Sequence, residues 1–306
     1  MKKLVSVLLC SFVTAACTIS TGDGESATDN SPSATRESNV ASGWVSSVPS
    51  ETGVDDPELR RLAEEVASAA DSDGQVGVVF ADGRYVVESG EITGGPAWST
   101  IKVPVSMAVL YHGTETLSTV ERAITQSDNA AFDALWHSLG DGVEAAKATE
   151  EVLRSGGDDT TILPDVTREG FSAAGQTDWS LLQQARFAQQ MTCIPGAGAV
   201  LTAMNQVIDT QSYGLGTIPA LPFKGGWGPD RDGDYLVRQF GILQTADGFV
   251  GIALAVRPED GTYGTGRHIL DRMAERIATG IENGVFDGAK ACAIEHLPEQ
   301  NREGTR

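Results

Sequence analysis

The sequence predicts an α+β fold in which an antiparallel sheet is assembled from N- and C-terminal segments, with a helical insertion between them. Three observations carry this. Short apolar strand-like runs with turn signals occur near residues 76–87 and recur over 222–256. The stretch between them follows helical spacing. A further helical pattern then closes the chain after the last strand.

Taken in order, Asp56-Pro57 caps a first helix whose Leu59, Leu62, Val66 and Ala69 fall on one face. Residues 76–80 and 85–87 read as strands turned at Asp82-Gly83. From Trp98 to about Leu153 the pattern is helical, broken at Gly113 and at 140–142. Trp136, Phe132 and Leu139 share helical spacing there and read as core. Residues 155–176 carry Gly, Asp, Thr and Pro with little periodicity, a long loop of the kind that is often functional. Helices are expected at about 177–191 and 198–208, strands at 222–224, 235–244 and 249–256, and a last helix at 267–281. Asp247-Gly248 turns the last two strands. An active site between sheet and insertion is the natural expectation.

The chain has 306 residues, with 42 Asp and Glu against 22 Lys and Arg, a formal charge of −20. It holds no Lys/Arg-rich run, so a nucleic-acid partner is not expected, and electrostatic docking on anionic lipid is disfavoured. Lys2 and Lys3 precede an apolar run over 4–16, too short to span about 30 Å of hydrocarbon. It reads as an export signal. It ends in Val13-Thr14-Ala15-Ala16-Cys17, which resembles a bacterial lipobox of actinobacterial type with lipid attached at Cys17, Thr14 standing where Leu is usual. An ordinary secretory signal cut near Ala16 is the alternative. The expected division is therefore a signal at 1–16, a Ser/Thr/Gly-rich flexible tether at 17–54, a folded body at 55–296 and a polar tail at 297–306. The body would lie outside the cytoplasm, with membrane attachment only through the lipid. Cleavage removes Lys2 and Lys3 and takes the formal charge from −20 to −22. Cys193 and Cys292 remain in an oxidising compartment, either as a disulfide or as two unrelated buried thiols.

Three short motifs follow one another. Ser99-Thr100-Ile101-Lys102 opens a helix, and Ser and Lys at i and i+3 share a face. A serine hydroxyl is a weak nucleophile until a neighbouring base takes its proton, and a lysine of lowered pKa can do so. The helix N-terminus favours negative charge developing at Ser99. Ser127-Asp128-Asn129 comes next, and Lys224-Gly225-Gly226 ends a short apolar run.

The order S-x-x-K, S-D-N, K-[TS]-G resembles the signature of the serine β-lactamases and penicillin-binding proteins, class A enzymes above all. The flanks of the first two motifs are similar as well, and the likeness spans about residues 57–282. It implies that Ser99 attacks an amide or β-lactam carbonyl to form an acyl-enzyme, and that Lys102 is base or proton relay. Ser127 would pass a proton to the leaving nitrogen, Asn129 would hold Lys102 and the substrate amide, and Lys224 would supply positive charge for a substrate carboxylate. The backbone at Ser99, Gly226 and Trp227 would bind the oxyanion and substrate. Asp128 would brace the loop. Arg238 is a candidate second carboxylate contact, with a surface charge as the alternative. The implied substrate is a β-lactam or a peptidoglycan-like peptide.

The departures from that family bear on activity. Gly225 replaces the hydroxyl residue of the third motif, a loss of about 1.5–3 kcal/mol of carboxylate recognition if nothing substitutes. Only 28 positions separate Ser99 from Ser127, so the helical insertion is expected to be trimmed. The long loop offers Asp165 and Glu169, neither in the family's Glu-x-x-x-Asn context. Glu169 is the candidate deacylation base and a solvated loop charge the alternative. A non-catalytic or slowly acylating cell-envelope binding protein therefore stays open beside the hydrolase. Asp230, Asp232 and Asp234 suit a hairpin turn better than a calcium loop, since position twelve is Gly241. The histidines at 112, 137, 268 and 296 lack metal-ligand spacing, and no nucleotide-binding fingerprint is present, so neither metal nor cofactor is expected.

Overall fold

In the computed structural model, which describes residues 56–70, 72–164 and 168–291, the first helix starts at its expected cap. The Asp56 carboxylate accepts the backbone N–H of Glu58 and of Leu59, each at 3.0 Å, and opens α1 (Pro57–Ser68). Leu59, Leu62, Ala63 and Val66 bury one side of it. β1 (Gly74–Ala81) and β2 (Val86–Gly90) form a hairpin, closed where Asp82 accepts from Arg84 N at 2.7 Å and Tyr85 N at 2.6 Å.

The insertion begins with a 3₁₀ turn, Trp98–Ile101, that runs directly into α2 (Lys102–His112). Gly113, at φ 66, ends α2 in the left-handed conformation that favours glycine. Then come α3 (Leu117–Thr125), α4 (Asn129–Ser138) and α5 (Gly142–Ser155), the last with a capping box between Asp141 and Glu144. The long loop follows, broken only by a 3₁₀ turn at Ala174–Gln176 among the described residues. After it stand α6 (Leu181–Gln190) and α7 (Ala197–Met204). The chain returns to the sheet through β3 (Phe223–Pro229), β4 (Tyr235–Gln244) and β5 (Phe249–Pro258), and ends in α8 (Tyr263–Glu282).

The strand order is β2-β1-β5-β4-β3, with every neighbour antiparallel. β1 pairs with β5 from Gly74–Pro258 to Ala81–Gly251, so the two ends of the chain make one sheet, as the sequence predicts. Side chains alternate across it. Val76, Val78, Phe80, Val237, Ile252, Leu254 and Val256 pack under α1 and α8. Val79, Ala81, Leu236, Phe240, Ala253 and Ala255 face α6 and the insertion. Among the described residues no helix is long and apolar enough to cross a membrane.

Four of the boundaries that differ from expectation have an identifiable cause, three of them tertiary and one a local cap. α6 begins at Leu181 rather than 177, because residues 177–179 are extended and zip against 95–97: Ala97 N donates to Thr177 O at 2.8 Å and Trp179 N to Gly95 O at 3.0 Å. α7 ends at Met204 rather than 208, and Ile208 N instead donates to Thr125 O at 3.0 Å. β3 continues five residues past Lys224, carried by pairing with β4 through glycines that have no strand propensity of their own. α8 starts four residues early, at an N-cap where Thr262 accepts from Thr265 N. The expected signal, the anchor Cys17, the tether and the polar tail all lie outside the described residues.

Candidate active site

Ser99 lies in the 3₁₀ turn at the head of α2, so the Ser-x-x-Lys spacing does place Ser99 and Lys102 on one helical face. The residue before it, Trp98, takes φ 49, a left-handed conformation that costs a non-glycine residue about 1–2 kcal/mol. Surroundings hold it there. Its ring packs 5.4 Å from Phe171 of the long loop, and Gly228 of β3 lies so close that a Cβ there would fall 2.6 Å from the indole. Arg168 ties the same loop to the sheet, stacking over Phe171 at 3.9 Å and donating to Pro229 O at 2.8 Å.

α4 positions the second motif. Asp128 is its N-cap, accepting from Ala131 N at 2.9 Å, and it pairs with Arg122 at 2.6 Å. The Arg122 hydrogen bond, then that backbone bond, hold the Asp128 carboxyl below its ordinary value. With the cap fixed, Asn129 stands in the first turn of α4 and Ser127 is held at φ 54.

These two elements and β3 bring four side chains together. Lys102 Nζ, fully buried, donates to Asn129 Oδ1 at 2.7 Å and Ser127 O at 2.6 Å, and lies 3.3 Å from Ser127 Oγ. Lys224 Nζ, also fully buried, donates to Ser127 Oγ at 3.1 Å and Gly225 O at 2.9 Å. One serine hydroxyl is thus within reach of two buried lysine amines. Phe132 covers Lys102, its ring centroid 5.5 Å from Nζ.

Gly226 sets β3 against the Ser99 turn. A Cβ there would lie 2.9 Å from Ala97 O, Ser99 N and Thr100 N, so only a glycine admits this approach without displacing backbone. The backbone of Ser99 therefore runs alongside residues 226–227. Trp227, half-buried, stacks on Tyr263 with ring centroids 5.0 Å apart.

Neither a family model nor a curated protein matches this sequence. Solved structures do. A class A β-lactamase from Bacteroides cellulosilyticus aligns with a TM-score of 0.59 at 14% identity, over 74% of this chain and 99% of that one. TLA-3 extended-spectrum β-lactamase gives 0.59 at 13%, over 72% and 98%. A β-lactamase from Streptosporangium roseum gives 0.57 at 12%, also over 72% and 98%. The fold is that of the class A β-lactamases.

Within this β-lactamase fold, Lys102, Ser127, Asn129 and Lys224 meet where α2, α4 and β3 converge, and Ser99 lies in the 3₁₀ turn at the head of α2. Other candidates are placed differently. Arg238 is not at a substrate face: it is wholly buried, and its guanidinium is taken up by carbonyl and amide oxygens behind the Ser99 turn. Burial pushes its pKa down to about 9, with Asp178 pulling it back up, so it stays protonated at neutral pH. Glu169 is exposed on the loop that packs over Trp98, and among the described residues no hydrogen bond or ion pair joins it to Ser99, Lys102 or Ser127. Asp165 lies outside the described residues, as does Cys292; Cys193 is disulfide-bonded.

The β-lactamase fold also brings in residues that the motif reading passed over. Asp133 follows Asn129 by one helical turn on α4, and burial raises its carboxyl pKa while the charges of His137 and Lys102 oppose the rise. Thr100 and Gln184 lie in the buried network around Arg238. An arginine inside the apolar run Leu236-Val237-Arg238-Gln239-Phe240 was the available signal for that network.

Proposed function

We propose that this chain is a serine hydrolase that forms an acyl-enzyme at Ser99 with β-lactams or peptidoglycan-like amides. The observation that carries this reading is the convergence of Lys102 Nζ and Lys224 Nζ on Ser127 Oγ, beside the helix turn that bears Ser99. An amine at Lys102 has two hydrogen-bond positions committed to Asn129 Oδ1 and Ser127 O, which can only accept. The Ser127 hydroxyl oxygen, 3.3 Å from the same nitrogen, is within reach for the proton exchange that the reaction requires.

In this reading Ser99 Oγ attacks the carbonyl carbon and gives its proton to Lys102. The oxyanion is met by backbone N–H groups at Ser99 and Trp227, at the head of a helix. The C–N bond then breaks, and the leaving nitrogen takes the Ser127 hydroxyl proton, which Lys102 restores. Lys224 holds Ser127 oriented and contributes positive charge for a substrate carboxylate. Attachment to the membrane through Cys17, outside the cytoplasm, places the body where such substrates occur.

Gly225 favours a second reading, a penicillin-binding-like protein that acylates slowly. A Cβ at 225 would meet Tyr213 Oη only at 3.5 Å, ordinary contact, so crowding at the backbone does not account for the glycine. Labelling with a fluorescent penicillin tests the main reading: the wild type should be labelled and Ser99→Ala should not. A wild type that neither labels nor opens a chromogenic cephalosporin overturns it. Intact-mass spectrometry of the adduct over time separates the two readings, since the hydrolase sheds its adduct and the slow acylator keeps it.

A further inference from the structure

Behind the Ser99 turn runs a buried polar chain that takes no direct part in the proposed reaction. Arg238 Nη1 donates to Gly95 O at 2.7 Å and Pro96 O at 3.2 Å, and its Nη2 to Trp179 O at 2.9 Å and Gln184 Oε1 at 2.8 Å. Gln184 Nε2 donates to Thr100 Oγ1 at 3.0 Å, and that hydroxyl donates to Ala97 O at 2.5 Å. Every link donates in the same sense, from guanidinium to the Ala97 carbonyl, so each bond polarises the next. The chain ends on both sides of the nucleophile, two residues before Ser99 and one after it.

The register explains how one residue reaches this turn. Gly226 and Arg238 face each other across β3 and β4. Gly226 has no side chain, which lets the turn lie on β3, and Arg238 reaches beneath the same segment to grip its carbonyls. The guanidinium also binds Trp179 O, so it ties together both strands of the short 95–97 and 177–179 ladder.

Core filling alone does not account for an arginine here. Taking an ionised guanidinium out of water costs several kcal/mol, and an apolar side chain of similar volume often serves a core as well or better. All four of its acceptors are neutral, and among the described residues no carboxylate lies within ion-pair distance of it. What the arginine adds is directional grip on a segment whose next residue, Trp98, is held at φ 49. Such conformations persist only where the surroundings over-determine them.

We infer that Arg238, acting through Gln184 and Thr100, is a positioning residue that holds the 95–100 turn so that Ser99 presents its hydroxyl and its N–H to the substrate carbonyl. The inference rests on the acyl-enzyme reading for its effect on rate, but not for its effect on the turn.

The test uses the full chain with Gln184→Glu, Thr100→Val and Arg238→Met, measuring acylation by a fluorescent penicillin, non-covalent affinity, melting temperature and amide hydrogen exchange. Gln184→Glu separates positioning from stability: the new carboxylate pairs with Arg238 but cannot donate to Thr100. Its acylation rate should fall about tenfold while its melting temperature holds or rises. Thr100→Val should lose about tenfold as well, and Arg238→Met about a hundredfold, with affinity changed by less than about twofold in each. Adding Gln184→Glu to Arg238→Met should cost no more than about twofold further, because both break one chain. Amides at 97–101 should exchange faster in every variant, and those of α8 should not. Unchanged acylation per folded molecule in Gln184→Glu and Thr100→Val overturns the inference, even if Arg238→Met fails to fold. If the wild type is not acylated at all, the function reading falls, and exchange decides alone: unchanged protection at 97–101 in those two variants overturns the clamp.

Discussion

The two faces of the sheet are built on different principles. The face under α1 and α8 is lined by Val76, Val78, Phe80, Val237, Ile252, Leu254 and Val256, all at or below 2% exposure, and its buried Gln239 is a neutral amide bonded to Leu215 N and Tyr213 O. The face toward the insertion holds the buried Lys224 and Arg238 of the sheet, and Lys224 shares the Ser127 hydroxyl with Lys102. One face stabilises by apolar burial, at about 25 cal/mol per Å². The other accepts the cost of desolvating charge in return for fixed geometry at Ser99. Apolar truncations under α1 and α8 should therefore move stability and leave the rate per folded molecule alone, and substitutions of the buried polar side chains on the other face should change that rate.

The largest expected effect is on the second face. Lys102→Ala or Lys224→Ala should lower acylation by about 10²–10⁴-fold, the range for loss of a positioned acid–base group, measured by stopped-flow or gel labelling on folded protein. A fall below tenfold would remove the amine pair from the chemistry. On the opposite face Leu254→Ala should cost about 2–5 kcal/mol in urea unfolding, with the acylation rate of the folded fraction unchanged. A matching loss of rate would mean that the two faces are not separable.

A third variant tests the gap in the motif. Gly225→Ser, whose Cβ makes only ordinary contacts, should raise labelling by a carboxylate-bearing penicillin about tenfold, the value of one added hydrogen bond to a charged group. No gain would show that the missing hydroxyl does not limit recognition. The smallest effect concerns the cap that fixes Asn129. Asp128→Ala should cost about 1 kcal/mol at neutral pH. Because the folded Asp128 pKa is lowered, its contribution is complete above the ordinary value of 3.8 and is lost as pH falls through the lower, folded value. The stability difference between wild type and variant should therefore close at acid pH, as melting temperatures across a pH series would reveal.

The legibility of this molecule follows the same division. α1, the β1–β2 hairpin and the bounds of β4 could be read locally, because caps, turn residues and side-chain period act over a few positions. The motif residues were legible because Ser-x-x-Lys is a statement about one helix face and Ser-Asp-Asn about one helix start. What escaped depends on partners far away in sequence. Residues 177–179 become extended only by pairing with 95–97, and β3 persists through Gly225, Gly226 and Gly228 only because β4 supplies its partners. The sequence offers Arg238 as a carboxylate contact or a surface charge, whereas its acceptors at Gly95, Trp179 and Gln184 come from segments that no periodicity connects. Cross-strand pairing of Gly226 with Arg238 was the hidden constraint, and it requires the hairpin register, which the structure supplies.

Acylation of Ser99 with the help of the two buried amines is the step on which the proposed chemistry depends. Peptide mapping by mass spectrometry after incubation with benzylpenicillin tests it most directly. An adduct of the full mass of the opened β-lactam should appear on the peptide containing Ser99, be absent in Ser99→Ala and be strongly reduced in Lys102→Ala. A wild-type protein that carries no adduct when quenched early and opens no benzylpenicillin, or one with an adduct on another residue that persists in Ser99→Ala, overturns acylation at Ser99.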